Sequence, residues 1–371
     1  MRVALVHDYL NQRGGAERVF AKIAQAWPQA PVYTALYDPT VTGDLIDPDR
    51  VRTSYLARIP FANRYFRALA PLYPRAFEAF DLRGYDTIVS STTAWAKGVI
   101  VPQGSVHVSY VNTVSRFAFA YDEYVGGLGR AHRGGPLAQL ARPMIDRLVA
   151  WDAMAAQRPT LMVANSRNVA ERIRRFYGRD AEVLPCPVDI ERFTLGSGAG
   201  NYFFIASRLL PYKRIDRAIA AAQLAGVKLF VAGTGPAERD LRARARGTTT
   251  TLLGYVSDAQ MNALLGDARA AVVPGEEDFG LLPLEAAAAG RPTIAYRAGG
   301  ALETIVEGST GAFFSEPSAE SLANALREFD ERAYDPAALR AHAQTFAPER
   351  FVERLRDIVT RVRAEHQHVS S

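Results

Sequence analysis

The chain has 371 residues and a single cysteine, Cys186. No intramolecular disulfide can form, so a disulfide-stapled secreted scaffold is excluded and a reducing compartment is expected. Lysine is almost as scarce. Only Lys22, Lys97, Lys213 and Lys228 occur, leaving 40 of the 44 basic residues as arginine. Long apolar runs are missing too: Val3–Val6 is followed at once by His7 and Asp8, too short for a signal peptide. No stretch of 18 apolar residues is present, so any membrane contact is expected to be peripheral. No histidine–cysteine cluster has metal-ligand spacing. Asp47-Pro-Asp49 matches a D-x-D pattern but sits in a polar turn, so no metal or other cofactor is implied. G-x-G-x-x-G is lacking, which counts against a nicotinamide or flavin oxidoreductase.

What is present is a core-forming composition, 48% apolar and 22% charged, which excludes disorder and low-complexity material. The length predicts two or three domains. The net charge of +5 is uneven. Residues 1–195 carry 24 basic and 18 acidic residues, and 196–371 carry 20 and 21. Part of the first-half surplus lies in 55–80, where Arg58, Arg64, Arg67 and Arg75 face Glu78 alone. Tyr55, Phe61, Tyr65, Phe66, Tyr73, Phe77 and Phe80 lie among them. Arginine mixed with aromatics fits an anionic membrane surface. It also fits single-stranded nucleic acid or an ordinary half-buried helical hairpin. With 18 acids in the same half, no nucleic-acid partner is expected.

Short β-branched runs alternate with amphipathic stretches along the whole chain. Strands are predicted at Arg2–His7, Val32–Ala35, Thr87–Ser90, Gly98–Val101, His107–Val111, Thr160–Ala164 and Glu182–Pro185. A second series follows at Tyr202–Ala206, Lys228–Ala232, Thr250–Leu253, Ala270–Val273 and Thr293–Ala295. Runs such as Phe-Phe-Ile-Ala are apolar throughout, the mark of parallel strands covered on both faces. Two series predict an α/β chain of two Rossmann-like doubly wound domains facing a central cleft. The glycine-rich Leu195–Gly200 predicts the break. The expected division is 1–195, 196–347, and a helix over 348–371 that packs back on the first domain.

Ligands of doubly wound sheets bind at the carboxyl ends of strands, so the residues after each strand are the candidates. Gly14 and Gly15 stand at the first strand-to-helix turn, where backbone N–H groups can approach a phosphate. Arg208 and Lys213, five apart after Tyr202–Ala206, form a cation pair suited to a departing diphosphate. Pro274–Pro292 runs from a strand through a loop with Gly280 into a helix. Glu277 lies on the loop and Glu285 early in the helix, so two carboxylates can grip polyols around one phosphate. The N–H groups of Phe279, Gly280, Leu281 and Leu282 point toward that anion. The competing reading of Glu285 is a first-turn glutamate complementing the helix dipole.

These stretches resemble retaining glycosyltransferases of family 4, of GT-B fold. The likeness is carried by Glu277-Asp-Phe-Gly-Leu-Leu-Pro-Leu-Glu285, Ser207–Lys213, Gly14-Gly15-Ala-Glu-Arg, Leu253–Asp258, Gly299–Thr304 and Pro187–Phe193. It looks most like bacterial polysaccharide mannosyltransferases. The resemblance implies that Arg208 and Lys213 bind the diphosphate and Glu285 the nucleotide ribose. Glu277 would touch the transferred hexose, with Tyr255 and Val256 near the base. Phe279–Leu282 would donate to sugar and phosphate, with Gly14 and Gly15 beside the diphosphate. It further implies a nucleotide-sugar donor, GDP-mannose ahead of a UDP-sugar. The acceptor would be a glycan or lipid-linked glycan, and the location cytoplasmic, peripheral on the inner membrane face. One departure is Asn112 in Tyr110-Val-Asn-Thr-Val-Ser-Arg-Phe117, where the family usually carries histidine. Asparagine can hydrogen-bond a sugar hydroxyl but carries no proton or charge. A non-catalytic nucleotide-sugar-binding relative is therefore the alternative.

Overall fold

The computed structural model describes residues 1–115, 136–198 and 200–370. The chain forms two units. The first holds Met1 to Ser115, the described residues from Pro136 to Pro187, and Pro348 onward; the second holds Val188–Ala347. The division thus falls at Pro187, ahead of the glycine-rich segment expected to mark it. Val188 already belongs to the second unit, its N–H donating to Phe346 O at 3.0 Å.

Unit 1 is a parallel sheet of seven strands. They are β1 Val3–His7, β2 Val32–Thr34, β3 Val51–Thr53, β4 Thr87–Thr92, β5 Val106–Val111, β6 Leu161–Ala164 and β7 Glu182–Val183. Their order is β3-β2-β1-β4-β5-β6-β7. β1, β4 and β5 are buried at every residue, as in a parallel sheet covered on both faces; the hydroxyl-rich β4, Thr87–Thr92, is buried as fully as the apolar β1. Helices α1 Gly15–Ala26, α2 Pro136–Ala155 and α3 Arg167–Tyr177 belong to this unit. The C-terminal helix Pro348–Ser370 belongs to this unit. Arg356 Nη2 donates to Ala26 O at 2.6 Å, and Phe351 meets Tyr110 edge-on at 5.5 Å.

The sequence reading and the structure differ in this unit at three places. Gly98–Val101 is no strand: Ala96–Gly98 is a 3₁₀ turn. Gly98 packs against Trp151, where a Cβ would lie 2.4 Å from the indole, and Val99 is buried while Ile100 is exposed, so the run enters the core only in part and forms no strand. The polar strand β3 was missed because its three residues are half-buried or exposed. Segment 55–80 is no hairpin of long helices but 3₁₀ turns Tyr55–Arg58 and Phe66–Leu72 running into the short helix Tyr73–Glu78.

Unit 2 is a parallel sheet of six strands. These are β8 Tyr202–Ala206, β9 Lys228–Ala232, β10 Thr250–Gly254, β11 Ala270–Val273, β12 Thr293–Tyr296 and β13 Gly311–Phe314, in the order β10-β9-β8-β11-β12-β13. Helices α4 Ile215–Ala225, α5 Asp258–Asp267 and α6 Leu281–Ala288 matter below. In each sheet the strand order reverses once, between β1 and β4 and between β8 and β11. Ligands of such sheets bind at that reversal, outside the carboxyl ends.

Two buried histidines give unit 1 a pH signature. Burial and the neighbouring Arg179 and Arg158 push His107 down to about 3. Its Nε2 shares a 2.8 Å hydrogen bond with Ser90 Oγ. His7, stacked on Phe20 at 4.5 Å, is likewise lowered by burial. Burial favours the neutral form of both. The unfolded chain binds their protons first, so the stability they carry is full above about pH 6.5 and is lost as pH falls toward 3. The urea midpoint should drop between pH 7 and pH 4.5, and His107→Gln should flatten that slope. An unchanged slope in the variant would refute the assignment.

Candidate functional site

In unit 2 the chain leaves β8 at Ser207 and turns through the 3₁₀ segment Pro211–Lys213. Arg214, at a positive φ of 55°, sets the start of α4. Arg208 is exposed and makes no ion pair among the described residues. Lys213 is instead turned onto Glu277, forming a direct ion pair. Gly275 makes this approach possible. A Cβ there would lie 2.7 Å from Tyr212 O and 3.0 Å from Lys213 O, so only glycine lets the β11-end loop pass so near. The buried Arg217, in the first turn of α4, donates to Pro274 O at 2.6 Å.

The far side of that loop is held equally closely. Gly300 N donates to Glu277 O at 2.9 Å. Phe279 is buried and meets Phe346 edge-on at 6.1 Å. Gly280, at φ 85°, reverses the chain, and α6 begins at Leu281. The first-turn N–H groups of a helix have no intrahelical acceptor, which leaves Leu281 and Leu282 oriented toward the loop. Glu285 is the fifth residue of α6, and no acidic residue occupies the first turn. The dipole-complement reading therefore does not fit it.

Glu285 has a partner that the sequence did not reveal. Arg192 Nη1 lies 3.5 Å from Glu285 Oε1, while its Nη2 donates to Asp258 Oδ1 at 3.0 Å. Its Nε is buried without a hydrogen bond. Asp258 opens α5, three residues after the exposed Tyr255 and two after Val256. One guanidinium thus joins the β10-end turn to the α6 carboxylate. Ninety-three residues separate Arg192 from Glu285, and its only sequence signal is its place in Pro187–Phe193.

Unit 1 brings its own strand ends together. Asp8, buried after β1, accepts from four backbone N–H groups: Thr93 at 2.6, Ala94 at 2.9, Trp95 at 3.0 and Ala96 at 2.7 Å. In the sequence Asp8 stands out only as a polar residue that, with His7, follows the short Val3–Val6 run. Beyond it the buried Lys97 pairs with the buried Asp152. Asp152 also accepts from Ser115 Oγ at 2.6 Å and Tyr177 OH at 2.7 Å.

Two expectations need correction here. Gly14 N–H does not face outward: it donates to Glu17 Oε2 at 2.8 Å, closing a capping box. A Cβ on Gly14 would meet that same oxygen at 2.8 Å, so its glycine serves the cap. Gly15 is exposed at the head of α1. Asn112 follows β5 with its Nδ2 already donating to Ser91 Oγ at 2.9 Å and Thr92 O at 3.3 Å. Only its Oδ1 lacks a partner among the described residues, so the side chain can accept but not donate. Arg116 and Phe117 lie outside the described residues. Asp47-Pro-Asp49 is a turn, Asp47 capping Asp49 N at 3.0 Å. Among the described residues no His/Cys/Asp/Glu group has metal-site geometry, and no helix is long and apolar enough to cross a membrane.

Comparison with known proteins agrees with this architecture. Residues 13–192 match the model of Glycosyltransferase Family 4, and residues 188–346 that of Glycosyl transferases group 1. A glycogen synthase of Mycobacterium tuberculosis is 36% identical over 32% of this chain and 29% of its own. A GDP-mannose-dependent alpha-(1-6)-phosphatidylinositol dimannoside mannosyltransferase of the same organism is 36% identical over 34% of each. The D-inositol 3-phosphate glycosyltransferase of Geodermatophilus obscurus is 30% identical over 56% of this chain and 54% of its own. The chain thus spans about half or less of the length of these curated relatives. Among solved structures, the sucrose-phosphate synthase of Thermosynechococcus elongatus superposes with a TM-score of 0.71 at 18% identity, over 98% of this chain and 99% of that one. Anabaena HepE in complex with UDP-glucose gives 0.69 at 19%, over 96% and 99%. These likenesses concern the fold, which is that of the GT-B glycosyltransferases. With family models meeting at the boundary between its two doubly wound units, the chain belongs to glycosyltransferase family 4.

Proposed function

We propose that the protein is a retaining hexosyltransferase. It moves a sugar, mannose favoured, from a nucleoside-diphosphate sugar to a glycan or lipid-linked glycan in polysaccharide biosynthesis. The observation that carries this reading is the Lys213–Glu277 pair beside the Gly280 turn and α6. It joins a cation for the diphosphate and a carboxylate for the sugar at the β8/β11 reversal. As the C1–O bond to the leaving phosphate breaks, its electron pair passes to the phosphate oxygen. Arg208 and Lys213 meet that charge, while Glu277 accepts from the sugar hydroxyls. The acceptor oxygen enters on the face the phosphate leaves, and its proton passes to a phosphate oxygen. No protein base is then needed, and none is assigned; nor does the reading assign a resident metal. Glu285, oriented by Arg192, accepts the ribose hydroxyls near Tyr255 and Val256. The backbone N–H groups of Phe279–Leu282 donate to sugar and phosphate. Of the unit 1 candidates, Gly15 stays exposed and the Oδ1 of Asn112 can still accept a hydrogen bond. The reaction belongs, in this reading, on the cytoplasmic side of the membrane.

The mannosyltransferase relative favours GDP-mannose, and the UDP-glucose complex of HepE supports a UDP-sugar as the second reading. A thermal-shift panel of GDP-, UDP- and ADP-sugars tests the choice, because a ligand raises stability according to its affinity. GDP-mannose should give the largest shift. Glu285→Ala should weaken donor binding by about ten- to a hundredfold, the cost of losing hydrogen bonds to a charged group. A variant that binds donor like the wild type would remove Glu285 from the site. Donor hydrolysis or transfer above background would dispose of the non-catalytic alternative raised by Asn112.

A further inference from the structure

Arg217 has no part in the reaction above, although it is the kind of residue a core ordinarily excludes. It lies in the first turn of α4 and is 6% exposed. Among the described residues no carboxylate pairs with it. The neighbouring Asp216 is held by Arg214, whose Nε and Nη2 donate to its two oxygens at 3.2 Å. The Nε of Arg217 is buried without a hydrogen bond. Burial, with Arg214 nearby, lowers its pKa from the ordinary arginine value. A buried charge is normally paired, and an unbranched apolar side chain would pack here with a smaller penalty.

The contacts of Arg217 fall on three pieces of the site. Its Nη1 donates to Pro274 O at 2.6 Å, at the foot of the β11-end loop that carries Glu277 three residues on. Its guanidinium lies 5.6 Å from the centre of the Tyr296 ring, within reach of a cation–π contact. Tyr296 closes β12 and leads to Gly299 and Gly300. These hold Glu277 from the other side: Gly300 N donates to Glu277 O at 2.9 Å, and Gly299 forms an isolated parallel bridge with Glu277. On its own helix, Arg217 N donates to Arg214 O at 3.0 Å. Arg214 follows Lys213 directly, and its left-handed backbone turns the chain into α4. One buried side chain thus joins the segment that bears Lys213 to both segments that hold Glu277.

We propose that Arg217 is a positioning residue of this enzyme. By tying the first turn of α4 to Pro274 O and the Tyr296 ring, it keeps the Lys213 ammonium and the Glu277 carboxylate in register before a donor arrives. It acts through the pair rather than on the donor. The importance of that register for sugar transfer rests on the function proposed above; the bracing of the loop does not.

Amide exchange on the donor-free protein reads the brace. Arg217→Met keeps the stem and removes the donors. The Gly300 amide, which needs Glu277 O in place, should then exchange about tenfold faster, the equivalent of one lost hydrogen bond. The Val227 amide, bonded to Ala222 O at the far end of α4, should keep its rate. Steady-state kinetics read the register. Arg217→Met should lower kcat about a hundredfold, as a misplacement of about 1 Å does, with the donor KM moving less. Arg217→Lys keeps a charge and a donor for Pro274 O and should recover most of both effects. In the Lys213→Ala background, Arg217→Met should lower turnover little further, because the pair it positions is already broken. Melting temperatures are taken alongside. Tyr296→Leu, which withdraws the ring and leaves Arg217 in place, should act in the same direction by less and serves if Arg217→Met does not fold. Unchanged exchange at Gly300 would overturn the brace. Additive losses in the double variant, or a kcat loss that Arg217→Lys does not relieve, would overturn action through the pair. Wild-type turnover of Lys213→Ala alone would overturn the reading of the pair, and with it the kinetic role of Arg217, while leaving the exchange result at Gly300 intact.

Discussion

Lys213→Ala should lower kcat by about a hundredfold to a thousandfold, the usual cost of removing one preorganised group that stabilises charge in a transition state. The geometry makes the effect specific to turnover. Lys213 and Glu277 are 16% and 18% exposed as side chains, so water can solvate the carboxylate left behind. The melting temperature should therefore change little. KM for the donor should move less than kcat, because in the proposed reaction the lysine meets charge that grows as the diphosphate departs. Glu277→Gln tests the other end of the pair. It retains a hydrogen-bonding group but no longer anchors the ammonium, so it should also depress kcat. Wild-type turnover in both variants would end the assignment of this pair to the reaction.

The second large effect is on stability. Lys97 and Asp152 are both buried, at 1% and 0% exposure, and far from any compensating solvent. Asp152→Ala leaves a buried ammonium with the neutral Ala94 O, Ser115 Oγ and the Tyr177 ring beside it and no carboxylate bonded to it among the described residues. Removing one partner of such a pair typically costs about 3–5 kcal/mol. Lys97→Met should cost less, since Asp152 keeps the hydroxyls of Ser115 and Tyr177 at 2.6 and 2.7 Å. Changing both residues, Lys97→Met with Asp152→Leu, should recover much of the loss, because no unpaired charge remains. Urea midpoints of the three variants measure this coupling. Simple additivity would show that the pair acts as two independent residues.

Much of the architecture is legible in the sequence because many of the parallel strands are short, largely apolar runs. Tyr202–Ala206, Lys228–Ala232 and Ala270–Val273 appear with the predicted bounds. Gly98–Val101 shows the limit of that signal: an apolar run can place Gly98 and Val99 in the core beside Trp151 and leave Ile100 exposed without forming a strand. The strands that were overlooked, Val51–Thr53 and Gly311–Phe314, are short and only partly buried. Their pairing depends on a neighbouring strand rather than on their own composition.

The candidate site divides in the same way. The sequence alone determined the residue types and their places after strands, since a strand-to-helix turn is a local property of a few neighbouring residues. It could therefore name Arg208, Lys213, Glu277, Gly280 and Glu285. Which groups touch was decided by tertiary structure alone. Lys213 turned to Glu277 across 64 residues because Gly275 leaves no Cβ in the way. Arg192 reached Glu285 and Asp258 from a different stretch of chain. Gly14 N–H and the Asn112 amide, open donors when read in sequence, found Glu17 and the end of β4 instead. A buried donor takes whichever acceptor the packed chain brings within about 3 Å, and that choice is made only when distant segments meet.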